Sequence, residues 1–241
     1  QVINLKKFTA NLIEGKINLN GDIYLNKKKE IYLNGSYKNI SVNRILKQLK
    51  IINWERVKIK LSSSKFSINT TTNTSKEIIE NLNGEMNITG SIFFVSREQE
   101  RFSAAFLSIL ADKFMNIKPL SKSITYLLDK FADKPSNISG VININNGILK
   151  TEKLLISNFK EKALLTGSLN LQSQIIDAKI NLYENNIIFL TAELKGNLKN
   201  PEILMGGEVF SKEGISQPQN IREIFEKGIQ ALVDNILNLN D

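Results

Sequence analysis

The side chains that carry most enzymatic chemistry are absent from this sequence or scattered along it. Its 241 residues include no cysteine and no histidine. That excludes disulfides, thiolate nucleophiles, Cys/His zinc sites, His-based triads and imidazole acid–base work. Acid–base chemistry would fall to carboxylate pairs, such as Asp177 with Glu184 or Glu98 with Glu100. Neither pair has a companion arginine cluster or a metal-ligand spacing, so both read as solvated surface charge. A two-carboxylate enzyme acting on glycans is the weakest reading left open. No glycine-rich phosphate loop followed by Lys-Ser/Thr occurs, and Gly206-Gly207 reads as a plain loop. The sequence therefore predicts a protein that is not an enzyme, with no catalytic residues, no metal ligands and no cofactor.

Charge narrows the partners. The net charge is +8, carried by 27 lysines and only five arginines among the 32 basic residues. Arginine is the usual residue for bidentate phosphate or base recognition, so specific nucleic-acid binding is not expected. Weak attraction to anionic membrane surfaces fits the lysine excess better. Lys27-Lys28-Lys29 reads first as the solvated tip of a turn and second as a headgroup contact. No stretch of about 20 residues is free of charge, so no transmembrane helix is expected, and no signal peptide is visible. The sequence opens at Gln1 directly on an apolar alternation, Val2-Ile3-Asn4-Leu5. It reads as a piece of a longer protein, with any anchor or export signal upstream.

The elements that must position these residues are mostly strands. Hydrophobic residues at 41% and charged residues at 23% describe a globular chain. Its dominant period is two. Ile17, Leu19, Gly21, Ile23 and Leu25 alternate with Lys16, Asn18, Asn20, Asp22 and Tyr24; 176–182 and 188–198 repeat the split. One apolar and one wet face per strand is the pattern of an antiparallel sheet. Strands are expected near 2–13, 16–26, 30–38, 56–62, 65–72, 83–95, 138–145, 148–157, 162–172, 175–184 and 187–199. Asn145-Asn146-Gly147 and Asn185-Asn186 supply hairpin-turn chemistry. Helices are expected after Ser41, over 97–116, over 120–133 and over 218–239, with Pro119 breaking the second. The last has an apolar stripe through Ile221, Ile224, Phe225, Ile229, Leu232, Val233 and Ile236. Its charges nearly balance, so it reads as a cap on the sheet rather than a membrane-surface helix.

A five-residue pattern, Leu or Ile, any residue, Gly, any residue, apolar, recurs seven times. Its glycines are Gly21, Gly35, Gly84, Gly90, Gly140, Gly167 and Gly196. Residues two apart in a strand share a face, so each glycine falls on the apolar face between apolar neighbours. Glycine inside a strand costs stability. Bare positions on an inner face let a sheet bend without a clash, so these glycines are expected to curve the sheet. Ordinary bulges or close helix packing are the plainer alternative. A curled antiparallel sheet with an apolar inside is a gutter, and ten strands would span about 48 Å at roughly 4.8 Å each. An acyl chain filling one leaflet is about 15 Å long, half of the roughly 30 Å hydrocarbon core. Residues expected to line such a lane are Leu19, Ile23, Ile142, Ile144, Leu165, Leu169, Ile180, Leu182, Leu190 and Leu198.

The glycine-centred stretches also resemble the C-terminal region of the AsmA-like proteins of Gram-negative bacteria, relatives of TamB. Three segments carry the resemblance: 80–94 (Glu-Asn-Leu-Asn-Gly-Glu-Met-Asn-Ile-Thr-Gly-Ser-Ile-Phe-Phe), the 139–157 hairpin with Gly147 at its turn, and 164–201, ending Leu194 to Pro201. One departure is visible. The family often places Gly-apolar-Asp-Leu after the first segment, where Ser91-Ile92-Phe93-Phe94 stands here. The residue pattern predicts a long curved antiparallel β-sheet, mainly β with α, a gutter-like meander over 1–205. A helical insertion is expected to interrupt it at about 97–134, and 206–241 to form a loop and a C-terminal amphipathic capping helix. The resemblance implies a periplasmic protein of cell-envelope biogenesis, anchored to the inner membrane through a segment outside this chain. Its work would be phospholipid transport along the apolar β-groove or, alternatively, non-enzymatic aid to outer-membrane protein assembly without lipid. Phospholipid or another envelope lipid and outer-membrane assembly proteins are the implied partners, and no catalytic residues come with the family.

Overall fold

A computed structural model describes residues 1–12, 14–48, 50, 56–99, 101, 104, 108, 111, 117–159 and 161–224. Twelve strands make one sheet in strict sequence order, each antiparallel to the next. They are β1 (Val2–Leu12), β2 (Gly15–Tyr24), β3 (Lys29–Ser41), β4 (Val57–Thr72), β5 (Asn83–Phe94), β6 (Pro135–Asn145), β7 (Ile148–Asn158), β8 (Glu161–Asn170), β9 (Ile175–Glu184), β10 (Ile187–Asn197), β11 (Glu202–Gly206) and β12 (Gln219–Asn220). β1 and β12 are the two edges, so the sheet is open rather than a barrel.

The turns explain the meander. Asn146 and Gly147 join β6 to β7 with φ of 47° and 73°, and Asn185 and Asn186 join β9 to β10 with 50° and 67°. Two central residues with positive φ make the tight turn whose twist matches antiparallel strands, which is why Asn and Gly stand there. Lys27 and Lys28 lie exposed between β2 and β3, and Lys29 opens β3.

The sequence pattern splits 56–72 into two strands, and the structure corrects this to one strand of 16 residues. Ser62-Ser63-Ser64-Lys65 resembles a turn, yet the chain carries straight through. Ser62 pairs with Thr89 and Phe66 with Met86, so β4 holds one extra residue against β5. That is a β-bulge. Ser63 is buried inside it, its hydroxyl donating to the Lys65 carbonyl at 2.8 Å.

The helices whose bounds fall among the described residues are α1 (Val42–Gln48), α2 (Ser75–Glu80), α3 (Lys118–Lys130) and α4 (Glu208–Ser211). α1 follows Ser41 as expected, and Asn43 ties it to β4 through Val57 O and the Ile59 N–H, at 2.7 and 2.8 Å. α2 is not evident from the sequence; the Thr74 hydroxyl caps it by accepting from the Glu77 N–H. Pro119 sits in the first turn of α3, where its missing N–H costs nothing. Of 97–116, Arg97 is not helical, positions 98, 99, 101, 104, 108 and 111 are, and the others lie outside the described residues. The capping helix expected over 218–239 is corrected at its start, since Pro218 is not helical and Gln219–Asn220 form β12; 221–224 are helical, and the rest lies outside the described residues. The segment read as a loop at 206–218 is corrected in part: β11 ends at Gly206 and α4 follows immediately.

The sheet is rolled. One apolar cavity of about 220 Å³ touches both Ile92 of β5 and Ala192 of β10. A flat sheet would hold those strands about 24 Å apart at roughly 4.8 Å per step. They share a lining because the face between them is concave and α3 lies in it.

Candidate functional site

The apolar face follows from side-chain parity. From β1 to β10 the register stacks apolar on apolar: Ile3 on Ile23, Ile23 on Ile31, Leu33 on Ile68, Ile59 on Ile92, Met86 on Ile142, Leu154 on Leu165, Leu165 on Ile180, Leu182 on Leu190. Bulges do not break this. β1 gains one residue at Lys6-Lys7, so Ile3 and Leu5 before it and Phe8, Ala10 and Leu12 after it stay on one face.

The seven repeated glycines stand in the same rows. Gly21 faces Leu5 and Leu33, Gly35 faces Leu19 and Phe66, Gly90 faces Leu61 and Ile138, and Gly140 faces Ile88 and Leu154. Six of the seven mark close backbone approaches. A Cβ added at Gly90 would stand 2.0 Å from the Lys60 carbonyl oxygen of the neighbouring strand. At Gly167, φ is +141° and the Asp177 carbonyl oxygen would be 2.3 Å away. A side chain at these points would collide with the backbone of the neighbouring strand and push the strands apart. Gly196 differs: its φ is +93° and an added Cβ would meet nothing within 4 Å.

The face has two regimes. Over the C-terminal strands it is covered. Leu120 and Tyr126 of α3 join Ile156, Ala163, Leu182, Leu190, Met205, Val209 and Phe210 in one buried cluster, with Leu120, Leu190 and Phe210 at 0% exposure. The Tyr126 ring lies 4.5 Å from that of Phe189, and its hydroxyl donates to Glu161 Oε2 at 3.1 Å and lies 3.2 Å from Tyr183 O. Burial, reinforced by the Glu161 carboxylate, pushes the Tyr126 phenol well above its ordinary pKa. At the far end of α3, the Asn158 amide donates to Lys130 O at 2.8 Å. Lys122 and Lys118 reach Glu213, beyond α4, at 2.8 and 3.4 Å. Their ammonium groups hold the Glu213 carboxyl below its ordinary range, the Lys122 hydrogen bond first. What remains between α3 and the sheet is the 220 Å³ cavity, lined by apolar side chains including Leu127, Phe131, Ile180 and Leu182.

Over the N-terminal strands the same face is only partly covered. No residue of β1, β2 or β3 is buried. Ile17, Leu19, Ile23, Ile31 and Leu33 are half-buried, and Ile3, Phe8 and Leu12 are exposed. Tyr37 marks the boundary: it packs against the cluster, and burial pushes its phenol up to about 12.

The residues expected to line a lane therefore divide. Leu182 and Leu190 are buried beneath α3, and Ile180 lines the cavity with them. Ile142 and Leu165 pack beside that cluster. Ile144 is buried, and Leu169 is half-buried opposite Leu149 and Ile176. Leu19 and Ile23 lie on the open stretch. Leu198 sits in the turn after β10, buried, its N–H donating to Gln174 O at 2.7 Å. Sequence reasoning missed Met205, Val209 and Phe210. The signal was the short apolar run Ile203-Leu204-Met205 after Pro201, too brief to stand out.

Asp177 and Glu184 are both exposed and fall on opposite faces of β9, Asp177 on the wet face and Glu184 at the end of the apolar row of Ala178, Ile180 and Leu182, so they do not form a pair. Among the described residues no three acidic side chains gather so as to hold a metal ion, and no helix is long and apolar enough to cross a membrane. No family model, no curated protein and no solved structure matches this chain. The resemblance to AsmA-like proteins rests on the sequence segments alone.

Proposed function

We propose that this chain binds or conducts phospholipid acyl chains along its apolar face, as an envelope-biogenesis protein of the AsmA-like type working between inner and outer membrane. The observation that carries the reading is the unbroken apolar register from β1 to β10, left half-exposed over β1–β3. Moving an acyl chain through water costs about 0.8 kcal/mol per methylene, and a continuous apolar lane removes much of that cost. Strands of ten residues are about 33 Å long, so an acyl chain of about 15 Å fits along the open stretch. The cavity beneath α3 is small. An engineered cavity of about 150 Å³ holds one benzene, so this one takes at most the end of a chain while α3 stays in place. On this reading the protein is periplasmic, tied to the inner membrane of a Gram-negative bacterium by an anchor outside this chain, and carries no catalysis.

The packing of α3 favours a second reading, a structural module that aids outer-membrane protein assembly without lipid. Photo-crosslinkers placed one position at a time in cells separate the two. Lipid should be captured from Leu19 and Ile23, not from Asn18 or Lys179 on the wet face. If no lipid is captured from the apolar face, and none co-purifies under native mass spectrometry, the structural module stands instead.

A further inference from the structure

The net charge of the chain lies on its first four strands. Residues 1–72 hold 14 of the 32 basic residues and 4 of the 24 acidic ones, a net charge of +10, and residues 73–241 carry −2. Much of that charge gathers at one end of β2, β3 and β4, where the β1–β2 turn and α1 also stand. Lys16 of β2 pairs directly with Lys38 of β3, and Lys60 of β4 pairs with Ser41 at the end of β3, with Lys58 two residues on. Each of these lysines is the chain neighbour of an apolar-row residue, Ile17, Tyr37, Ile59 or Leu61, so all four share the wet face. All four are exposed. Like charges directly opposite are destabilising, yet Lys16 and Lys38 face each other. Glu14, in the turn, is already engaged: it accepts from Arg44 of α1 at 2.8 Å and lies 3.9 Å from Lys60. Among the described residues Lys16, Lys38, Lys58 and the exposed Lys47 of α1 form no ion pair.

The same end exposes apolar side chains. Leu12, the last residue of β1, is 49% exposed, and Ile45 of α1 is 45% exposed. The Arg44–Glu14 pair ties α1 to the turn that Leu12 enters. Apolar tips among lysines match a bilayer surface with anionic headgroups, where apolar groups enter the headgroup boundary and ammonium groups gain from the surface potential. A nucleic acid fits less well. Arg44, whose fork could grip a phosphate, is committed to Glu14, and the groups left without a partner are lysines.

We propose that this end of the sheet seats on a lipid bilayer surface with anionic headgroups, Leu12 and Ile45 entering the headgroup layer and Lys16, Lys38, Lys47 and Lys58 lying over the phosphates. The inference does not rest on acyl-chain binding along the apolar face, because its charged groups stand on the opposite face.

Vesicle flotation with the full chain tests it. Vesicles of phosphatidylcholine with about one third phosphatidylglycerol should bind the chain about tenfold more tightly than phosphatidylcholine alone, and added salt should erase the difference. A lysine at such a surface is worth about fivefold in binding. Lys16→Gln/Lys38→Gln/Lys58→Gln should therefore weaken binding to the mixed vesicles about a hundredfold. The same variant should keep its urea midpoint, since all three sites face solvent and a like-charge pair is removed. Lys27→Gln/Lys28→Gln/Lys29→Gln removes equal charge at the opposite end of β2 and β3, and should change binding by less than about threefold. Absence of binding to the mixed vesicles overturns the proposal. Equal binding to the two kinds of vesicle also overturns it, since the apolar face alone would then hold the lipid. So does an equal loss in both triple variants, which would reduce the effect to overall charge. Tighter binding to a DNA duplex than to the mixed vesicles, lost on substituting Lys16, Lys38 and Lys58, overturns it as well and gives the surface to a nucleic acid.

Discussion

The strands β1–β3 and β8–β10 share one sequence pattern and differ in what lies on them. β2 and β9 both alternate apolar and polar residues, and both carry their apolar residues on the same face of the sheet. On β9 the apolar row meets α3, and Leu182 is 4% exposed. On β2 no residue is buried. The alternation encodes a face; it does not encode whether a helix will cover it. One half of the face is core and the other half is surface, and an exposed apolar stretch of this kind marks an interaction site.

The sharpest way to break the comparison is to truncate one leucine in each half. Leu190→Ala removes a fully buried side chain beside an existing cavity, so it should cost about 2–5 kcal/mol. Leu33→Ala removes a half-buried one and should cost about 1 kcal/mol, because much of its surface already meets water. Urea unfolding of the two variants reads the difference. Equal costs would mean that the N-terminal strands are core too, and the open stretch of the face would be lost.

A smaller effect separates the glycines. At Gly90 the obstacle to a side chain is the Lys60 carbonyl oxygen, which cannot rotate away. Gly90→Ala should therefore cost about 3 kcal/mol, at the upper end of overpacking. Gly196→Ala meets no atom, and only its positive φ resists, so about 1 kcal/mol is expected. The same unfolding measurement serves. If the two cost the same, strand approach is not what the repeated glycines provide, and the rolling of the sheet needs another cause.

The sheet was legible in the sequence because strand parity is a local property. Ile17, Leu19 and Ile23 declare their face without reference to anything distant, and Asn146-Gly147 declares its turn by its backbone preference. The register survives even where the reading failed: the serines at 62–64 imitate a turn, but the flanking Leu61 and Phe66 pair with Gly90 and Met86 on one continuous strand. What was not legible depends on distant partners. Leu182 and Leu19 look alike in sequence, and only the placement of Tyr126 and Leu120 against β8–β10 makes one buried and the other half-open. Phe210 was invisible as core for the same reason, since α4 is too short to show a helical period. The lane residues were found as a face and not sorted into covered and uncovered.

The mildest effect concerns what keeps α3 in place. Glu213 accepts from Lys122 and pairs with Lys118, and both contacts favour its charged form, so its folded-state pKa is lowered. A carboxyl with a lowered pKa adds stability above its unfolded value, about 4.3 for glutamate, and that stability is lost as pH falls through the folded value. The wild type should therefore be more stable than Glu213→Gln at about pH 7, and the two should converge at about pH 3. Because Glu213 bridges to α3 and not to β1–β3, the Leu33→Ala difference should not change over the same range. Urea midpoints at both pH values read this directly. If the Glu213→Gln difference persists undiminished in acid, Glu213 holds the cover by packing and its charge is incidental. If instead Leu33→Ala becomes pH-dependent in step with it, the two halves of the face unfold as one unit, and the line drawn between them at Tyr37 has no energetic meaning.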